Sequence, residues 1–256
     1  MTTIAVAESD LTLALLRLAD TALVHGHRLS EWCGHAPMLE EELALANIAL
    51  DLIGQARTLY AYAAEVEGAG RTEDDLAYLR DAPQYRNVLI AELPKGDFAF
   101  TILRAFLLAA QARPFWQEAT GSRDATLAAI AAKAEKEAAY HLRHAGEWVI
   151  RLGDGTEESR RRMLDALDAL WPYTGELFEV DASDHALIAA GVLPDPAALR
   201  PRWDAAVDRV FAEAGLARPA DPWMQTGGRS GRHTEHLGHL LAVMQHLQRA
   251  YPGATW

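Results

Sequence analysis

Asn47, Asp51 and Gln55 recur at four-residue steps inside an otherwise apolar segment, and side chains so spaced share one face of an α-helix. Three polar groups on a greasy rod need partners, either a hydrogen-bond network across a core or a metal ion. The metal alternative has a defined template. In dimetal-carboxylate bundles two helices each give a Glu and two others each give Glu-x-x-His, because residues i and i+3 face one interior and hard cations need anionic oxygen with imidazole. Neither the helical segment around Asp51 nor that around His141 contains Glu-x-x-His; the nearest patterns are Asp51 with Gln55 and Glu137 with His141, both four apart. A carboxylate at Ala138 would complete the motif with His141, and alanine stands there. Histidines without a carboxylate set seldom suffice as a ligand site, so His141 and His144 are expected to be structural or surface residues.

Other catalytic templates are weaker. Cys33 sits in Trp32-Cys33-Gly34-His35 without a recognisable base and orienting group, which points to a packed turn. Gly227-Gly228-Arg229-Ser230-Gly231-Arg232-His233 is a flexible basic loop that could offer amides and cations to an anion, but no strand precedes it. Arginines meeting acidic helix ends or a partner subunit explain it better. Arg160, Arg161 and Arg162 read as a solvated helix face, and Trp32, Trp148, Trp171 and Trp203 as core or interface anchors.

The elements that must position these groups are helices. Leu11, Leu15, Leu18, Ala22 and Leu29 keep helical spacing from Asp10, with Gly26 as an end or kink. A long pattern from about Met38 to Glu67 stops at Gly68. Its apolar residues form two adjacent stripes, which predicts a helix buried at the centre of a bundle. Thr72-Glu73-Asp74-Asp75 opens a short helix to Arg80, and Pro83 breaks it before a loop or short helix through Glu92. Asp97 can cap a third long helix to about Thr120, kinked at Pro114, and a fourth runs from Asp124 to Leu152. A helix through Ser159 to Leu177, a proline-rich crossing from Pro194 to Pro201, a helix to Gly215 and a last helix from His233 to Ala250 complete an all-α bundle with short helical additions, read as one domain over 1–256. There is no strand pattern and no repeat.

With 50% hydrophobic and 23% charged residues the chain is expected to fold. A net charge of -12 opposes nucleic acid or anionic membrane as a bulk partner. A single cysteine excludes an internal disulfide framework and fits the cytoplasm. Met1 to Asp10 lacks the charged and apolar regions of an export signal, and Asp51 or Arg104 interrupts the longest apolar runs, so neither export nor membrane spanning is expected.

Leu29-Ser30-Glu31-Trp32-Cys33-Gly34-His35-Ala36-Pro37 and Leu45-Ala46-Asn47-Ile48-Ala49-Leu50-Asp51-Leu52-Ile53-Gly54-Gln55-Ala56-Arg57 closely resemble the C-subunit family of bacterial phenylacetyl-CoA oxygenases (epoxidases). The similarity continues through Lys136 to Arg143, Thr226-Gly227-Gly228 and Thr234-Glu235-His236-Leu237-Gly238, and covers nearly the whole chain. The resemblance implies a ferritin-like bundle and a noncatalytic, structural role beside a related subunit that carries the diiron centre. A further small subunit and an NADPH-dependent reductase with flavin and iron–sulfur groups would complete a complex that inserts one oxygen atom of O2 into the ring of phenylacetyl-CoA. In the catalytic relative a stretch like Asp-Glu-x-Gly-His falls in the register of Asp51–Gln55, so Leu52 and Gln55 replace Glu and His. Its Glu-Glu-x-x-His falls on Glu137–His141, so Ala138 replaces the carboxylate and only His141 survives. A core without those carboxylates cannot balance two cationic irons, so loss of the metal site, with no cofactor in this chain, is expected. The same resemblance makes Gln84, Tyr85, Arg86 and Asn87 candidates for contact with the acyl-CoA. Two alternatives stay open: a self-sufficient metal enzyme using Asp51, Glu137, His141 and His144, and a scaffold without any ligand.

Overall fold

The structure, a computed structural model, describes residues 3–221 and 223–254; the ends of the single domain expected over 1–256 lie outside the described residues. Four long helices make the frame. α1 (Asp10–Ser30) starts where Ser9 Oγ accepts from Thr12 N at 3.1 Å. α2 (Leu39–Glu67) starts with Glu40, Glu41 and Glu42 in its first turn, where the helix dipole favours acids, and stops at Gly68, which adopts a left-handed φ of 72°. α5 (Phe98–Ala119) is capped by Asp97 and α6 (Ala125–Gly153) by Asp124, each carboxylate accepting from a first-turn amide.

Cross-contacts fix their directions. Gly26 of α1 lies against Ala49, Leu52 and Ile53 of α2, while Tyr60 near the far end of α2 donates to Asp20 at 2.5 Å, so the two run antiparallel. Arg113 of α5 pairs with Glu135 of α6, and Phe106 stands beside Gly146. Between α2 and α6, Glu41 meets His144, Asp51 meets His141, Gln55 meets Glu137 and Tyr62 meets Asp124, again antiparallel. Fully buried Leu15, Leu59, Ile102, Phe106, Leu127 and Val149 fill the space between the four helices.

Shorter helices cover the ends and one side: α3 (Glu73–Tyr78), α4 (Leu89–Glu92), α7 (Glu157–Leu170), α8 (Ala182–Ala189), α9 (Pro196–Glu213), α10 (Glu235–Met244) and α11 (His246–Ala250). The expected box at Thr72 is present, with Thr72 Oγ1 and Asp75 exchanging hydrogen bonds with each other's amides. Among the described residues there is no strand, and no helix is long and apolar enough to cross a membrane.

Several boundaries differ from the sequence reading. α1 passes through Gly26 without ending, because glycine there lets α2 come close: a Cβ would stand 3.2 Å from Ala49 O and from Ile53 Cγ1. Pro114 lies within α5 as read, and the helix ends at Ala119, one residue before the expected Thr120. Pro172 stops α7 at Leu170, and Trp171–Tyr173 and Gly175–Phe178 are 3₁₀ turns rather than its continuation to Leu177. The proline-rich crossing contains the start of α9: Pro196 occupies its first turn, where the missing N–H costs nothing. α8 has no counterpart in the sequence reading. The last helix divides at Gln245, whose amide donates to the carbonyls of Ala77 and Arg80.

The larger correction concerns α2. Its Leu45/Ile48/Leu52/Leu59 side packs inward, but Leu39, Leu43 and Leu50 of the other stripe are 70%, 57% and 65% exposed. The helix is therefore a wall of this chain and not its centre.

Candidate functional site

The polar residues of α2 and α6 meet in one seam. His141 Nε2 donates to Asp51 Oδ2 at 3.0 Å, and Gln55 Nε2 donates to Glu137 Oε2 at 2.8 Å. Further along, His144 Nε2 faces Glu41 Oε2 at 3.0 Å, and Lys133 approaches Glu137 at 3.3 Å. Asn47 points outward and is exposed, so it takes no part in the network expected of all three polar residues. Burial pushes the His141 imidazole below its usual range despite the opposing pull of Asp51 and Glu137, so a neutral ring with its proton on Nε2 suits the pair.

These groups do not fit a dimetal centre. Leu52 and Ala138 bring no oxygen, Gln55 is spent on Glu137, and the His141 nitrogen on this side is spent on Asp51. Asp51, Glu137, His141 and His144, the set considered for a self-sufficient metal enzyme, are divided among separate pairs. Among the described residues no group of three or more His, Cys, Asp or Glu is placed to hold a metal ion. The seam is a set of side-chain pairs stitching two antiparallel helices, with His144 Nδ1 left buried and without a hydrogen bond.

Behind it lies a cavity of about 130 Å³ between α1, α2, α5 and α6, reached by His141 and Gln55 and also by His25 of α1. His25 carried no sequence signal. It lies among apolar neighbours in α1, where a lone histidine reads as an ordinary core or surface residue.

Gln84–Asn87 form a brace between elements. Tyr85 and Asn87 are fully buried: the Tyr85 hydroxyl donates to Ala77 O, and Asn87 Nδ2 donates to Glu92 Oε2 at 2.8 Å. Gln84 holds Ile4 O at 2.5 Å, and Arg86 pairs with Glu8 at 2.7 Å. Only Gln84 and Arg86 of the four are partly exposed. The segment is anchored from below by Asp20, which is completely buried and accepts from Arg86 N at 2.7 Å and from Tyr60. Arg80, also fully buried, forks onto both oxygens of Asp20 and lies 4.4 Å over the Tyr85 ring.

The glycine-rich loop packs against this brace. Its amides do bind an anion, but one supplied by the chain: Glu176 Oε1 accepts from Gly227 N at 3.0 Å and Arg229 N at 3.2 Å, and Oε2 accepts from Leu89 N at 2.6 Å. Arg229 pairs with Asp184 in the first turn of α8 at 2.6 Å, the acidic helix end expected for it. A Cβ on Gly228 would fall 2.2 Å from Asn87 O, so only glycine lets the loop lie there. Next to it, Glu92 accepts from Thr234 N at 2.6 Å and from His233 Nδ1 at 2.7 Å, while His233 Nε2 faces Tyr85 O at 2.9 Å. Burial opposes charge on His233, but Glu92 and the Tyr85 carbonyl outweigh it and raise its pKa. Two ring nitrogens facing two acceptors require the doubly protonated ring.

The remaining candidates resolve simply. Cys33 is exposed in its turn, and His35 contacts the Cys33 carbonyl at 3.0 Å. Arg161 and Arg162 share Glu158 on an exposed face, while Arg160 reaches Gly153 O and Gly215 O at the ends of α6 and α9. Trp171 and Trp203 are core residues whose rings lie 5.7 Å apart.

Comparison with known proteins agrees with the sequence resemblance. The chain is 50% identical, over 97% of its length and 100% of the relative's, to the C-subunit of the 1,2-phenylacetyl-CoA epoxidase of Escherichia coli (strain K12). The family model described as phenylacetic acid catabolic protein matches residues 1–256, and the chain belongs to that family.

Proposed function

We propose that this chain is a noncatalytic, single-domain subunit of a cytoplasmic phenylacetyl-CoA 1,2-epoxidase, packed against a related chain that holds the diiron centre. The observation that carries the reading is the outer face of α2. Leu39, Leu43 and Leu50 form one row over three turns at 57–70% exposure, with Met38 at 47% beside it. Scattered exposed leucines are ordinary, but a row on one long helix is a surface shaped for another helix. The row borders half-exposed Asp51, so a partner seated on it would also cover the edge of the α2–α6 seam. Rigid support of this kind preorganises a catalytic neighbour without supplying a reacting group.

Electrons would reach the diiron chain from NADPH through a reductase with flavin and iron–sulfur groups, and a further small subunit would complete the complex. Any contact with the acyl-CoA by the Gln84–Asn87 segment would fall to Gln84 and Arg86, since Tyr85 and Asn87 are committed inside. The surface reading is tested by the double substitution Leu43→Glu and Leu50→Glu. Expected is loss of co-purification with the catalytic subunit while the helical signal and melting of the isolated chain stay as in wild type. A complex that survives both charges refutes this surface.

A further inference from the structure

The cavity between α1, α2, α5 and α6 contains a polar group without a partner. His25 is 5% exposed, lines the cavity, and makes no side-chain hydrogen bond; its Nδ1 is buried and unsatisfied. Leaving a buried donor or acceptor unpaired costs about 1–3 kcal/mol, so such groups commonly mark a place for a ligand or water. Burial, with Arg104 and His141 nearby, holds the imidazole well below its usual pKa and therefore neutral, offering one donor and one acceptor.

The rest of the wall selects the occupant. Leu18, Ala22, Leu108, Ala109 and Phe115 give apolar surface from α1 and α5. The cationic side chains at the cavity already have counter-charges, Arg17 with Asp181 and Asp184 and Arg229 with Asp184, and the neutral His141 is bound to Asp51. The polar groups left uncommitted are the His25 imidazole, the Gln55 amide oxygen, the Gln111 amide and Nε of Arg17, whose charge Asp181 and Asp184 already balance, so an ionic ligand would find no unpaired counter-charge in the wall. The volume of about 130 Å³ is close to the roughly 150 Å³ of an apolar cavity known to admit benzene.

We infer that this cavity is a binding site for a neutral, single-ring aromatic molecule carrying one hydrogen-bonding group, of the phenol class, with His25 as its polar contact. The ring fills the apolar walls and the hydroxyl satisfies the imidazole. The site lies in this chain and is independent of any metal in a partner.

The test is calorimetric titration of the full chain with phenol and with toluene, alongside His25→Phe, which keeps the volume and removes the polar contact, and Ala112→Phe, which fills the cavity. Expected is saturable binding of both probes to wild type with phenol the tighter. His25→Phe is expected to weaken phenol roughly tenfold and leave toluene unchanged, the loss of one hydrogen bond to a buried group. Ala112→Phe is expected to abolish both, and the imidazole resonances of His25 to shift with phenol in wild type. If neither probe saturates, or His25→Phe preserves the preference for phenol, the site is not as inferred. Should Ala112→Phe fail to fold, the phenol-to-toluene ratio in His25→Phe decides alone.

Discussion

Asp20→Ala removes the carboxylate on which the brace under the glycine loop depends. Asp20 and Arg80 are both fully buried, and Asp20 also accepts from the Tyr60 hydroxyl at 2.5 Å and from Arg86 N at 2.7 Å. Without it, Arg80 keeps only the carbonyls of Leu76 and Gln84 and the Tyr60 hydroxyl, with no counter-charge. Breaking a buried ion pair from one side costs about 3–5 kcal/mol. For a chain of this size each kcal/mol lowers Tm by about 2–4 °C, which places the drop at roughly 6–20 °C. The double variant Asp20→Leu with Arg80→Met removes both charges and is expected to melt above Asp20→Ala, because no unpaired ion remains. Thermal melts by circular dichroism, with urea midpoints as a second readout, measure both. A loss below about 1 kcal/mol in Asp20→Ala, or a double variant less stable than the single, would refute the view that this pair holds the brace.

Three further outcomes follow from the same geometry. His233 has a raised folded pKa, so its contribution is complete below the unfolded value of about 6.5 and fades as pH rises through the folded one; His233→Ala should therefore lose more stability near pH 5.5 than near pH 9, measured by urea unfolding at both. Glu176→Gln replaces an acceptor of three backbone amides with a group that must turn an N–H toward one of them, costing about 1–3 kcal/mol, and amide exchange at Gly227 and Arg229 should speed up. Gly26→Val forces α1 away from Ala49 O and is expected to cost about 1–3 kcal/mol; an unchanged urea midpoint would mean that the close approach of α1 and α2 is not needed.

The long helices were legible because capping residues and glycine stops bracket strong periodic runs: Asp97, Asp124 and Gly68 mark true ends. Gly26 misled because the same absence of a Cβ that ends a helix also allows two helices to touch. The two apolar stripes of α2 were visible, but periodicity does not distinguish a buried stripe from an exposed one, and Leu39, Leu43 and Leu50 proved to be exposed. At the seam, the pairing of Asp51 with His141 was within reach of spacing, whereas Asn47 follows the same spacing and points outward. Glu92 had a signal, a lone carboxylate in the apolar run Val88 to Leu93; Glu176 and the Asp20–Arg80 pair join distant segments and His25 faces a cavity, and no local pattern announces them.

The most direct test of a noncatalytic partner role is iron content and phenylacetyl-CoA epoxidation by this chain purified alone, and again after mixing with the catalytic subunit and reductase. The account predicts no turnover and no stoichiometric iron in the chain alone, with turnover on mixing that exceeds that of the catalytic subunit and reductase without it. Stoichiometric iron with turnover in the isolated chain would contradict it and return attention to Asp51, Glu137 and His141.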